Sequence, residues 1–374
     1  MFADDSLPEP GRPAIDGFRR KGQNRGMFMR LMFTRPGPVL CTAARALALS
    51  AIVAGCGGNA TGSPSAPSNP NSSATVEIAA PATGLPTDLP SATPAATASP
   101  TPTASPTPGS GLPDFRHIYV IIMENKDYRS IVGSKAAPYL NSMIARYGMA
   151  TQMYAEAHPS EPNYIALTSG GLQGTHSDGS YRLNVPNLFD QIEASGRTWH
   201  VYAQGYPGSC FGGSVGATVV DGPGAAGQYA RKHNPAISYA SISGNPTRCA
   251  NITRLAGFNP ATADFQMIIP NQINDMHSSS TRAGDNFLRA FVPTITNSPA
   301  FADSLLFITW DERGGGDPVG GGHIATVIAS PGMTPGSRFT GTATHYSMLR
   351  TIELAWEMPL LGEAAKASTI TLHY

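Results

Sequence analysis

Two short segments of this chain end an apolar run in side chains that bind cations. Ile121-Ile122-Met123 runs into Glu124-Asn125, and Phe307-Ile308-Thr309-Trp310 runs into Asp311-Glu312. Apolar runs of this kind read as buried strands. In open α/β sheets, ligands bind just beyond the carboxyl ends of the strands. Glu124, Asn125, Asp311 and Glu312 are therefore placed to converge on one divalent cation. All of them offer oxygen, so Zn²⁺, Mn²⁺, Mg²⁺ and Ca²⁺ all fit, and the number of ions is left open. Either pair taken singly reads equally well as a strand end followed by a solvated turn.

Between the two pairs lies His158-Pro159-Ser160-Glu161-Pro162-Asn163-Tyr164. Pro162 suits the first turn of a helix, and Ser160 precedes it. A helix N-terminus presents unpaired N–H groups and a positive dipole end, which favour a phosphate. A serine hydroxyl becomes a useful nucleophile when a base or a metal activates it. Position alone makes Ser160 an N-cap; the cation-binding pairs shift the reading to a nucleophile beside a metal. Histidines are the second signal. His158, His176, His233, His277, His323 and His345 all sit near turn-forming residues. Loop histidines in an α/β enzyme serve as general acids or phosphate clamps. Two rank first: His277, in Asn274-Asp275-Met276-His277 behind an apolar run, and His323, behind Gly320-Gly321-Gly322.

These residues need elements to hold them. Strand-like apolar runs fall at Ile118–Met123, Trp199–Ala203, Phe265–Ile269, Leu305–Trp310 and Ile324–Ala329. Helical patterns fall at Pro138–Tyr147, Pro186–Ser195, Arg282–Ile295 and His345–Trp356, and a further helix opens at Pro162. Such alternation predicts an α/β/α sandwich with a largely parallel central sheet. The folded domain is expected over residues 113–374.

Residues 57–112 carry only two charges, Glu77 and Asp88, and repeat a Thr-Ala-Ser-Pro-Thr-Pro-like hexapeptide from Thr97 to Pro108. That composition has too little apolar surface to offset chain entropy and reads as a disordered tether. Within residues 1–56, arginines precede the short apolar run Ala46–Ala54, which is too short to span a bilayer and reads as a secretory signal. Met27, Met29 and Met32 are candidate starts. Val53-Ala54-Gly55-Cys56 resembles a bacterial lipobox, which implies cleavage before Cys56 and a lipid on its sulfur. An exported, lipid-anchored protein is the expectation, facing out from the cytoplasmic membrane or the cell surface. In that compartment Cys210 and Cys249 can pair as a disulfide, stabilising by about 4 kcal/mol in the chain-entropy model. Net charge is +0 and no Lys/Arg block carries interleaved aromatics, so there is no case for nucleic-acid binding.

Five segments in order also resemble a known family. They are Glu124-Asn125, Ser160-x-Pro-Asn163, Asn274 to His277, Trp310-Asp-Glu-x-Gly-Gly, and His345-Tyr-Ser-Met-Leu-Arg-Thr-Ile-Glu353. The chain resembles the phosphoesterases that include acid phosphatases and non-specific phospholipases C, within the alkaline phosphatase superfamily. The resemblance implies that Glu124, Asn125, Asp311 and Glu312 hold a metal and that Ser160 takes up the phosphoryl group. It implies phosphate or leaving-group contacts for Asn163, His277 and His323. Larger relatives carry a histidine where Arg313 stands; Arg313 is either a phosphate clamp or a solvent-facing side chain. Phosphomonoesters are the first expected substrates, with His277 as proton donor. A phospholipase C-type diesterase comes second. A non-catalytic surface binding lipoprotein is the reading from another class.

Overall fold

The computed structural model describes residues 111–315 and 320–374. The signal segment with Cys56, and the tether as far as residue 110, lie outside the described residues. The sheet has eight strands: β1 (His117–Met123), β2 (Gly148–Ala155), β3 (Trp199–Ala203), β4 (Ile252–Thr253), β5 (Phe265–Ile269), β6 (Ser304–Trp310), β7 (Gly322–Ala329) and β8 (Ser337–Thr344). Their spatial order is β4-β3-β5-β1-β6-β7-β2-β8. Every neighbouring pair is parallel except those made by β7, which opposes both β6 and β2. The main helices are α1 (Pro138–Arg146), α2 (Ser160–Ser169), α3 (Leu188–Ala194), α4 (Thr281–Phe291) and α5 (His345–Ala355).

The α/β architecture with a mostly parallel central sheet is the expected one. Strands β1, β5 and β6 are buried at every residue. Covering both faces of a parallel sheet with helices leaves no position for a polar alternation, so these strands read as continuous apolar runs. The five apolar runs named from sequence are all strands. Three strands lacked that signal. β2 has a bulge and an uneven burial pattern, β4 is two residues long, and β8 is a largely exposed edge. The antiparallel direction of β7 is likewise invisible to periodicity, because a buried strand has the same composition in either direction.

Helix ends are closed by particular side chains. α1 begins at Pro138, and the carboxylate of Asp285 on α4 accepts the N–H groups of Tyr139 and Leu140 at 3.2 and 2.9 Å. Those N–H groups have no partner within their own helix, and an acid complements the dipole there. Cys210 and Cys249 form the expected disulfide, with Cα atoms 5.6 Å apart.

Glu353, the last residue of the fifth motif, is structural. It is fully buried on α5, and its Oε1 accepts the Leu361 N–H at 2.9 Å. Its Oε2 has no hydrogen-bond partner, and burial pushes its pKa up to about 8. The ordinary glutamate value is 4.5. The folded state therefore keeps its proton over a range where the unfolded state has released it. Stability is expected to fall as pH rises from about 4.5 through about 8. Glu353→Gln should flatten that slope, as read from urea midpoints at acid and alkaline pH. An unchanged slope would rule Glu353 out as its source.

Candidate active site

The carboxyl ends of β1 and β6 lie side by side, because Met123 and Trp310 are register partners in a parallel pair. That pairing brings Glu124-Asn125 against Asp311-Glu312 across 186 residues of sequence. Asn125 adopts a left-handed backbone, φ 55°, a conformation that asparagine tolerates better than most residues. In this turn the Asn125 N–H donates to Asp311 Oδ1 at 3.0 Å, and its side-chain amide donates to Glu124 Oε2 at 2.9 Å.

Ser160 stands at the first residue of α2 and is 1% exposed. Its hydroxyl donates to Glu124 Oε2 at 3.1 Å and reaches Glu312 Oε1 at 3.5 Å. The structure thus gathers Ser160 and all the oxygen-bearing residues expected around a cation. It adds Asp275, which is equally buried. Burial, and then mutual repulsion with Asp311 and Asp275, pushes Glu124 well above the usual carboxylate range. Burial raises Asp275 and Asp311 as well, and burial followed by Asp311 lifts Glu312 to about 8. Acids crowded this way in low dielectric want a positive partner. Asp311 Oδ2 is buried with no hydrogen-bond partner at all. The donor set and that orphaned oxygen fit a divalent cation.

Three consecutive residues that carried no strong sequence signal complete the site. Arg231, Lys232 and His233 form one short helical turn. Arg231 is buried and pairs with Glu161 at 2.8 Å, fixing the residue after Ser160. Lys232 Nζ donates to Asp178 at 2.8 Å and lies 3.4 Å from His277 Nε2. Burial alone would lower the Lys232 pKa, but Asp178 and Glu124 hold it above its ordinary value. His233 is 1% exposed. Its Nε2 lies 3.1 Å from Glu124 Oε1 without a hydrogen bond, and its Nδ1 lies 3.3 Å from Asp275 Oδ2. Burial keeps His233 neutral by lowering its pKa, and burial together with Lys232 lowers that of His277. Glu124, His233 and His277 offer ligand atoms within 4.8 Å of one another, a second possible cation-holding group that shares Glu124. Tyr164 donates to Glu124 Oε1 at 2.6 Å and stacks on His233. His158 Nδ1 contacts Glu312 Oε2.

Other expected residues are placed differently. The Asn163 amide is bound to the backbone of its own loop: Oδ1 accepts from Glu156 and Ala157, and Nδ2 donates to Ala157 and Pro159. It shapes the turn that presents Ser160. His323 stacks between Tyr128 and Tyr154 and contacts the Thr151 carbonyl, because β7 pairs His323 with Tyr154 of β2. None of these contacts is with Ser160 or the carboxylates. The glycines before it admit protein backbone: a Cβ on Gly321 would sit 2.4 Å from the Ala157 carbonyl. Arg313 bonds Asp127 at 2.5 Å. His345 contacts Glu156 through Nδ1 and donates from Nε2–H to the Trp310 carbonyl at 2.9 Å, bracing the strand end that carries Asp311. A lone histidine in a polar loop gives no sequence cue to its partner, so His158 and His233 were indistinguishable there from His176.

A buried serine at a helix start, ringed by acids at the ends of parallel strands, defines a class of esterase site. The Phosphoesterase family model matches residues 134–359. The chain belongs to the phosphoesterase family, and that membership makes it a hydrolase of phosphate esters. A phosphatidylinositol-3-phosphatase of Mycobacterium tuberculosis is 33% identical over 70% of this chain and 84% of its own length. An acid phosphatase of Aspergillus fumigatus is 29% identical over 66% of this chain and 56% of its own. The chain thus spans little more than half of that fungal relative. Among solved structures, an alkaline phosphatase superfamily protein from Vibrio parahaemolyticus aligns at TM-score 0.48 and 13% identity, covering 70% of this chain and 72% of its own.

Proposed function

We propose that the protein is an exported, metal-dependent phosphomonoesterase that acts through a phosphoserine on Ser160 and is tethered by a lipid on Cys56. The observation that carries this reading is the Ser160 hydroxyl, held by Glu124 and Glu312 among four buried acids at the start of α2. Glu124, Asn125, Asp311 and Glu312 would hold the cation, with His233 as a nitrogen donor. When bound, a divalent ion supplies positive charge for the phosphoryl oxygens and lowers the pKa of a nearby hydroxyl.

The chain's own residues do the rest. Ser160 Oγ forms a bond to phosphorus as the bond to the leaving oxygen breaks, and the Ser160 proton passes to a neighbouring carboxylate. The Ser160 hydroxyl already donates to Glu124 and Glu312, so the acceptor is in place. His277 gives a proton to the departing alcohol. Burial and Lys232 lower its pKa, so its charged form parts with the proton more readily than an ordinary imidazolium does. Water then attacks the phosphoserine and returns Ser160. The names of the relatives, an acid phosphatase and a phosphatidylinositol-3-phosphatase, support a monoester substrate.

The test sets p-nitrophenyl phosphate beside phosphatidylcholine, each with several divalent metals. Monoester turnover at least about 100-fold above diester turnover is expected. Faster cleavage of the lipid diester moves the assignment to a phospholipase C type. No turnover of either makes the protein a non-catalytic binding lipoprotein.

A further inference from the structure

A cavity of about 240 Å³ is walled by Asp178, Ser180, Ser214, Val215, Arg231, Lys232 and Gln272, among others. A short chain of contacts ties it to Ser160. Asp178 Oδ1 accepts the N–H of Glu161, the residue after Ser160, at 3.1 Å. Asp178 Oδ2 accepts from Lys232 Nζ at 2.8 Å, and Lys232 in turn lies 3.4 Å from His277 Nε2. Through Asp178 the wall of the cavity therefore touches the backbone of the residue after Ser160, and through Lys232 it includes the neighbour of the proton donor.

We propose that this cavity receives the alcohol half of the phosphate ester, and that the alcohol is a compact, uncharged polyol of about monosaccharide size. The inference rests on the phosphomonoesterase reading of Ser160 and adds to it the chemistry of the leaving group. Size is the first argument. Pockets that bury drug-sized ligands hold about 300–1,000 Å³, so 240 Å³ suits a small alcohol and is too small to bury an acyl chain. Chemistry is the second. Two serine hydroxyls and a glutamine amide both donate and accept, a carboxylate accepts and an ammonium donates, which matches a ring of hydroxyls. No aromatic side chain is among the lining residues, so an aryl alcohol finds no ring to stack on. Val215, 49% exposed, gives one apolar wall for a C–H face. Charge is the third. Lys232 is balanced by Asp178 and Arg231 by Glu161, so neither cation is left to attract a second phosphate on the alcohol. The larger cavity beside the disulfide, about 770 Å³, shares no lining residue with this one or with the carboxylate cluster.

The experiment uses the full chain and reads selectivity. kcat/KM is measured for glucose 6-phosphate and sorbitol 6-phosphate, and for p-nitrophenyl phosphate, in the wild type, Ser214→Val, Gln272→Leu and the double variant. Each substitution should lower the polyol-to-aryl ratio by about 3–10-fold, chiefly through KM, as expected for one lost hydrogen bond. Free sorbitol should also inhibit aryl-ester hydrolysis by the wild type competitively, and benzyl alcohol should not. If the double variant folds with an unchanged ratio, the cavity does not hold the alcohol. If it fails to fold, the absence of sorbitol inhibition in the wild type overturns the proposal. Brisk aryl-ester turnover with either negative result leaves the phosphoesterase reading standing. A wild type that cleaves no phosphate ester removes both.

Discussion

Ser160→Ala is expected to lower kcat/KM for p-nitrophenyl phosphate by at least about 10⁴-fold, the scale seen when a nucleophile is removed. The Ser160 hydroxyl is the only group at the start of α2 that touches both Glu124 and Glu312 among the described residues. Without it, no hydroxyl is held between Glu124 and Glu312 to bond phosphorus. The fold should tolerate the change. Ser160 is 1% exposed, so alanine fills nearly the same space, and the loss is one hydroxyl contact, about 1 kcal/mol. A thermal melt close to wild type, together with loss of an acid-stable phosphoprotein after rapid quench, would assign the nucleophile. Near-normal turnover in the variant would remove Ser160 from that role and leave it a structural residue; it is not the N-cap its sequence position suggests, since Pro159 holds that place.

Removing divalent ions should have the second-largest effect, and it should be visible in stability as well as rate. After dialysis against a chelator, activity is expected to fall below about 1% and to return with one divalent cation. Elemental analysis before and after would show which ion left. A ligand at about 100 times its Kd stabilises by about 2.7 kcal/mol. At about 2–4 °C per kcal/mol for a domain of this size, that corresponds to a melting shift of about 5–10 °C. The reason is local. Glu124, Asp275, Asp311 and Glu312 are all buried together, and each has its pKa raised. Taking a cation away leaves that repulsion unrelieved. Asp311→Asn in the chelated protein should recover part of the lost stability while remaining inactive. Full activity and an unshifted melt after verified metal removal would rule out a metal-dependent reaction.

The strands that hold these groups were legible because β1 and β6 are buried on both faces, so their apolar runs stop abruptly at the site. The pairing of β1 with β6 follows from neither run. Both end in acids, but only sheet order decides that they are adjacent instead of separated by β5 or β7. His323 illustrates the limit. Glycines before a strand suggest a close approach to a ligand, but the approach is to Ala157, and Tyr128 and Tyr154 take the ring. Asn163 is similar: an amide near a nucleophile reads as a substrate contact until its loop is seen to use both ends.

The layered α/β class, the two acid-tipped strands, the serine near a helix start and the cysteine pair could all be read from residue pattern alone. Those features are local: hydrophobic period, helix-start chemistry and residue type are written over a few consecutive positions. It takes the folded chain to show that Arg231, Lys232 and His233 each reach a different part of the site, and that Asp275 joins the acids. Contacts between remote loops depend on sheet order and crossover paths, and the pattern of neighbouring residues does not encode them.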